Sequence, residues 1–236
     1  MKLKFMINFN QHKIALNKDG FLLVENCFNE NELNKITGFI KENNFNFSER
    51  QLLKRYPKLQ EIIFENDNFR KLFNTICDEG YFLSKAIYFN KHSKSNWFVS
   101  YHQDLSISVK NKIETKDYHS WTNKSEQLGV IPPLYILENS YTFRIHLDKT
   151  DETNGVLKVI SKSHQKGIIR VDNKFDASEQ GDEVFCDIGK GGIMLMKPML
   201  LHSSQKSISE KDRRVIHLEF CNQEIPMEWL EKKYLS

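Results

Sequence analysis

Two textures divide the chain. Up to about residue 80, apolar residues recur at helical spacing; beyond it they fall in short strand-like runs broken by turn residues. Leu33, Ile36 and Ile40 repeat every three or four positions behind Asn29, a suitable helix cap with Glu32 three residues on. Phe69, Leu72, Phe73 and Ile76 repeat in the same way and predict a second amphipathic helix whose aromatics pack a core. Residues 20–24 read as a short strand after a Lys-Asp-Gly turn. In the second texture the clearest strands are 86–90, 98–104, 141–147, 156–160, 193–196 and 215–220. Turns are signalled at Asn154-Gly155 and around Gly189, Gly191 and Gly192. Helices first and many short strands afterwards predict a mainly β fold with flanking helices. The expected form is a two-sheet jelly roll, with N-terminal helices packed on one outer face.

No internal repeat, low-complexity tract or linker interrupts the sequence. A single domain over residues 1–236 is therefore expected, with a helical support over about 1–80 and a jelly-roll core over about 81–225. The net charge of +3 is slight, and its lysines are scattered, so neither a nucleic-acid stripe nor a membrane patch is read. Cys27, Cys77, Cys186 and Cys221 stand far apart, which argues against a zinc ribbon or a dense disulfide framework. Reduced thiols in a cytoplasmic protein are the simplest account. The first ten residues hold no sustained apolar run of a secretory signal, and no segment approaches the roughly 20 apolar residues of a membrane helix.

The candidate chemistry begins at His102-Gln103-Asp104. On a strand, residues i and i+2 share a face, so His102 and Asp104 can converge while Gln103 turns away. One further imidazole, such as His202, would complete the two-histidine, one-carboxylate set of non-heme iron sites, which leaves positions open for substrate chemistry. Spacing alone favours ordinary polar residues over a metal, because a His-x-Asp arises easily by chance and the chain has eight histidines.

The surrounding text adds more. Residues 96–105, Asn-Trp-Phe-Val-Ser-Tyr-His-Gln-Asp-Leu, resemble a segment of bacterial members of the phytanoyl-CoA dioxygenase family. The resemblance continues through Val130-Ile131-Pro132-Pro133, Arg144-Ile145-His146-Leu147-Asp148, residues 154–160 and Ser163-His164-Gln165-Lys166-Gly167. It closes with residues 196–204 and 213–220, in order, covering roughly 80–225.

That resemblance implies an Fe(II)- and 2-oxoglutarate-dependent oxygenase on a double-stranded β-helix, with O2 as co-substrate and ascorbate as a supporting reductant. By motif position, His102, Asp104 and His202 become the iron ligands. Halogenating relatives replace the carboxylate with a small residue, so Asp104 points to hydroxylation. The distal carboxylate of 2-oxoglutarate calls for a bidentate arginine. Family spacing gives Arg213, with Arg214 as its alternative on the opposite face. Ser204 matches a position that donates a hydroxyl to the same carboxylate, or else it is a turn serine. Arg144 stands either in the active-site wall, against 2-oxoglutarate or an anionic substrate, or in a structural ion pair with Glu138 or Asp148. His146 is read as a pocket or core histidine and His164 and His217 as structural; His12, His92 and His119 are not assigned to metal. The long stretch between Asp104 and Tyr141 is expected to close over the substrate, with Trp121 and Gln127 as contacts.

The implied partner is a small-molecule substrate, with Arg144 and the slight positive charge hinting at an anionic one. A monomer or homodimer is expected. Two other classes compete: a non-catalytic, degenerate metal-binding jelly roll, and a cupin-like isomerase or epimerase. The complete triad speaks against the first, and the histidine-richer ligand sets of the second speak against it.

Overall fold

The computed structural model describes residues 9–91, 96–124 and 127–235; His92 lies outside them. Four N-terminal helices frame the first sheet: α1 (Phe9–Asp19), α2 (Glu30–Glu42), α4 (Pro57–Phe64) and α5 (Asp67–Ile76), with the single turn α3 (Leu52–Arg55) between them. The capping box is formed as the sequence predicts. Asn29 Oδ1 accepts from the Glu32 backbone N–H, and Glu32 Oε2 accepts from that of Asn29. At α5 the Asn66 side chain alone caps, accepting from the Phe69 N–H, and Phe69, Leu72, Phe73 and Ile76 all turn inward.

The large sheet runs in the order β1 (Phe21–Val24), β11 (Ile193–Met196), β8 (Ser140–His146), β13 (Arg213–Cys221), β3 (Phe82–Lys91), β14 (Lys233–Tyr234). A further strand, β2 (Ser48–Arg50), also pairs with β3. Alternation along these strands sorts the residues. Phe143 and Ile145 of β8, with Ile216, Leu218 and Phe220 of β13, pack against Phe69 and Phe73 of α5 in one apolar cluster. The opposite face carries Arg144 and His146 on β8, Arg213, His217 and Glu219 on β13, and Lys85 and Lys91 on β3. The helices thus cover one outer face of a jelly roll, as expected.

The second sheet faces that polar side, in the order β10 (Glu183–Phe185), β9 (Leu157–Ile160), β12 (His202–Ser204), β4 (Val99–His102). One end of the space between the sheets is filled by Val159, Ile188, Met194, Met196 and Leu200. The other end is left to the polar residues.

The stretch after Asp104 is an ordered wall of the larger cavity described below, and not a structureless loop. It folds into a three-stranded sheet, β5 (Ile107–Val109), β7 (Gln127–Ile131) and β6 (His119–Lys124), followed by α6 (Leu134–Glu138). The cause is burial: Ile107, Val109 and Val130 pack with Phe82, Met227 and Trp229. Trp121 leans on this cluster with the Lys112 ammonium over its ring, and it lines neither cavity described below.

Candidate active site

The register of two short strands creates the site. His202 on β12 pairs directly with His102 on β4, bringing the ring centroids to 4.2 Å. The predicted strand 98–104 ends at His102, so Asp104 reaches the site from the loop beyond, where its N–H donates to Pro198 O (2.9 Å). His102 Nε2 lies 3.9 Å from Asp104 Oδ1, and His202 Nε2 lies 3.8 Å from Asp104 Oδ2. The three donor atoms fall within 4.8 Å of one another, a spacing that can hold a metal ion. Each imidazole is oriented by its other nitrogen. His102 Nδ1 donates to Ser100 O and His202 Nδ1 to Leu200 O, both at 2.9 Å, which turns the Nε2 lone pairs towards the common point.

The electrostatics suit a cation. Burial pushes His202 down to about 4, so its ring is neutral and able to ligate at neutral pH. Burial works to raise the Asp104 carboxyl, but the neighbouring His202, His217 and His102 outweigh it and hold Asp104 below the usual carboxylate range. Gln103 turns away from the triad as expected, although it lies one residue beyond the end of β4 and its hydrogen bonds, not strand alternation, place it. Its amide donates to Gly167 O and Met199 O and accepts from Ile169 N–H, tying two loops behind the triad.

A cavity of 180 Å³ opens on the triad and is lined by Trp97, Arg144, His202, Ser204, Arg213 and His217, among others. Arg213 is buried, and its Nε and Nη1 have no protein partner. Burial, and then the charge of Arg144, press its pKa downward, the mark of a guanidinium lacking a counter-ion. Arg214 is on the other face, held by Asp148 through Nε (2.9 Å) and Nη2 (2.7 Å). The two arginines are thereby distinguished. Among the described residues Arg144 forms no ion pair with either acidic residue considered for it, and Asp148 belongs to Arg214. Instead Arg144 Nη1 donates to His217 Nδ1 (2.9 Å), and its Nε has no protein partner.

Ser204 lines the same cavity, but its hydroxyl donates to Gly155 O (2.8 Å) and accepts from Lys91 Nζ (2.9 Å). Lys91 was not singled out from the sequence. It is fully buried, opposite Arg213 in the β3–β13 register, 5.4 Å over the Trp97 ring, and also donates to Gln205 O. Burial, then Arg213 and Arg144, lower its pKa to about 7. Gly155 makes room for it: with φ of +80°, a Cβ there would sit 3.1 Å from Lys91 Cδ and 2.8 Å from Gln205 O. The available signal was period-two alternation, which puts Lys91 on the face of Lys85, Ile87 and Phe89.

His217 also exceeds its structural reading. It borders the 180 Å³ cavity and a second one of 490 Å³, and its Nε2 donates to Glu219 Oε1 (3.0 Å). Asp104 and Phe89 are shared as well, so the two cavities meet at the triad. Gln127 lines the larger cavity, in agreement with its expected place. His146 faces Thr150 (2.8 Å) and His164 faces Asn17 O (3.1 Å); neither lines either cavity.

A jelly roll that presents two imidazoles and a carboxylate to one point, beside buried cations, has the architecture of cupin-like oxygenases. The phytanoyl-CoA dioxygenase (PhyH) family matches residues 16–215, and the chain belongs to that family. Solved structures agree on the fold. EctD from S. alaskensis, in its apoform, is 14% identical over 95% of this chain and 82% of its own, with a TM-score of 0.68. HygX from Streptomyces hygroscopicus, with nickel and 2-oxoglutarate bound, is 12% identical over 93% and 88%, with a TM-score of 0.64. SnoN, a non-heme alpha-ketoglutarate-dependent epimerase from nogalamycin biosynthesis, is 9% identical over 91% and 80%, with a TM-score of 0.67. No curated protein sequence matches the chain significantly. The family and these neighbours define an oxygenase-type protein of the iron- and 2-oxoglutarate-dependent class, in a fold that hosts more than one reaction. No helix among the described residues is long and apolar enough to cross a membrane.

Proposed function

We propose that this protein is an Fe(II)- and 2-oxoglutarate-dependent dioxygenase that hydroxylates a small organic molecule, releasing succinate and CO2. One observation carries the reading. The His102–Asp104–His202 cluster opens into the same small cavity as Arg213 and Arg144, with Lys91 buried behind Ser204 of its lining, and none of these three cations forms an ion pair among the described residues. A metal-chelating dianion answers both halves of that arrangement at once, and HygX holds such a pair.

In this reading His102, Asp104 and His202 hold iron. When bound, iron with 2-oxoglutarate supplies O2 activation coupled to decarboxylation. Arg213 receives the distal carboxylate through its unpartnered Nε and Nη1. Arg144 adds charge from the adjoining strand, and Ser204 fixes Lys91 between itself and Gln205 O. Asp104 supplies the carboxylate that a halide-using relative lacks, which favours hydroxylation over halogenation. The substrate enters the 490 Å³ cavity, a volume within the roughly 300–1,000 Å³ of small-molecule sites. The whole chain, 1–236, acts as one domain, and four buried, unpaired thiols fit a cytoplasmic location.

The test is succinate release from 2-oxoglutarate by protein reconstituted with Fe(II) and ascorbate under air. Release that requires iron and disappears in His102→Ala supports the reading. Full metal loading with neither 2-oxoglutarate binding nor succinate would replace it with a non-catalytic metal protein.

A further inference from the structure

The 490 Å³ cavity has its own charge pattern. Lys85 Nζ is held by Glu219 at 2.9 Å and donates to Ser106 O at 2.7 Å, so that cation is matched. Asp104 belongs to the triad. Arg50 remains. It projects from β2 beside Ile87 of β3, is half-buried, and enters no ion pair among the described residues. Its Nη1 donates to the side-chain oxygen of Gln127 (3.2 Å), and Gln127 in turn donates to Ser108 Oγ (2.9 Å). A neutral amide thus orients the guanidinium without cancelling its charge.

The wall around Arg50 is rich in hydroxyls. A Cβ at Gly129 would lie 2.8 Å from both Ser106 Oγ and Thr122 Oγ1, so these two hydroxyls converge where the glycine leaves space. Ser120 lines the cavity with φ of +54°, at the irregular register between β6 and β7. A non-glycine residue held in the left-handed region is a strain that surrounding structure must sustain, and such residues gather at ligand sites. Ile87 and Phe89, on the strand beside Arg50, give the apolar part of the lining, and Phe89 borders the triad cavity as well.

We propose that Arg50, oriented by Gln127, anchors a carboxylate of the substrate in this cavity, so that the protein acts on a small polar acid whose carbon skeleton lies along Ile87 and Phe89. The inference deepens the oxygenase reading and rests on it. One unmatched cation calls for a singly charged group, and the planar guanidinium fork matches a carboxylate. A phosphate dianion would call for more positive charge than this wall offers.

The experiment uses full-length protein loaded with Mn(II) and saturated with 2-oxoglutarate, so that the cations of the smaller cavity are occupied. Melting temperature is followed against a panel of amino acids, hydroxy acids and aromatic acids, each beside its uncharged carboxamide, with phosphate monoesters as a third arm. At least one acid should stabilise the wild type while its carboxamide does not. Arg50→Gln should weaken that acid roughly 10- to 100-fold. Gln127→Glu, which keeps Arg50 but sets a carboxylate against it, should weaken it too and covers the case of a poorly folded Arg50 variant. Equal binding of acid and carboxamide, tighter binding of phosphate monoesters, unchanged affinity in both variants, or no binding by any member overturns the assignment. A wild type whose melting ignores 2-oxoglutarate fails the oxygenase reading instead; the acid-against-carboxamide comparison still reads Arg50.

Discussion

The two cavities that meet at Asp104 share strands β3 and β13 yet handle charge in opposite ways. In the smaller one, Arg213 and Arg144 both carry unpartnered nitrogen atoms, Lys91 is buried behind Ser204 of the lining, and the triad carboxylate is the acidic group that shares the lining. In the larger one, Lys85 is matched by Glu219, hydroxyls replace most charges, and one guanidinium is left over. His217 stands between them, accepting from Arg144 on one side and donating to Glu219 on the other. The difference teaches how a single barrel can keep two charge environments apart. The smaller cavity leaves two guanidinium groups without a counter-ion, whereas the larger leaves one guanidinium among hydroxyls.

The comparison can be broken most severely at the hinge itself. His202→Ala is expected to reduce turnover by more than the roughly 10- to 100-fold that follows loss of an outer partner of a metal ligand. Calorimetric titration with Mn(II) should show the metal affinity falling in parallel. Next in size is Arg213→Ala, which should raise the 2-oxoglutarate requirement by about 30- to 1,000-fold, as expected for removing one member of a buried charge pair. A normal requirement in that variant would transfer the role to Arg144.

Lys91 yields a smaller, pH-dependent effect. Its folded-state pKa is depressed from 10.5 to about 7 by burial and then by the two arginines. The folded protein therefore binds this proton less tightly than the unfolded chain. Stability is reduced by this lysine below about pH 7 and recovers as pH climbs towards 10.5. A bound dianion reverses the preference by favouring the ammonium. The stabilisation that 2-oxoglutarate gives should accordingly shrink between about pH 6.5 and 8.5, and Lys91→Met should flatten that slope. Thermal melts across this range check both. The smallest effect belongs to Arg214→Ala. Losing its pair with Asp148 should cost about 1 kcal/mol or less in chemical denaturation and leave the 2-oxoglutarate requirement within about twofold.

Much of this was legible in the residues because it is local. The capping box at Asn29, the apolar stripe of α5 and the span of β11 follow from spacing alone. α1 was not seen, because its face is largely polar and Leu16 is the residue it buries completely. β12 was invisible as a strand: three residues, His-Ser-Ser, show no alternation, and His202 could be chosen only through the family resemblance. Lys91 and His217 show a different limit. A lysine in a strand reads as surface until its strand pairs with a distant one, and nothing local reports that Arg213 lies opposite Lys91 or Arg144 opposite His217. Arg213 against Arg214 is undecided in the sequence for the same reason; the fold pairs Arg214 with Asp148 and leaves Arg213 Nε and Nη1 without a partner.

β4, which carries His102, is four residues long and pairs, among the described residues, only with β12. One of the three candidate metal ligands is thus mounted on the margin of its sheet, where backbone hydrogen bonds open most easily. Whatever ion settles there fastens that margin to the middle strand, joining segments far apart in the chain and so narrowing the excursions of both. The same looseness that lets the ion in would be removed by its arrival. Amide exchange at Tyr101 and His102, fast without metal and slow with it, would record the clasp closing.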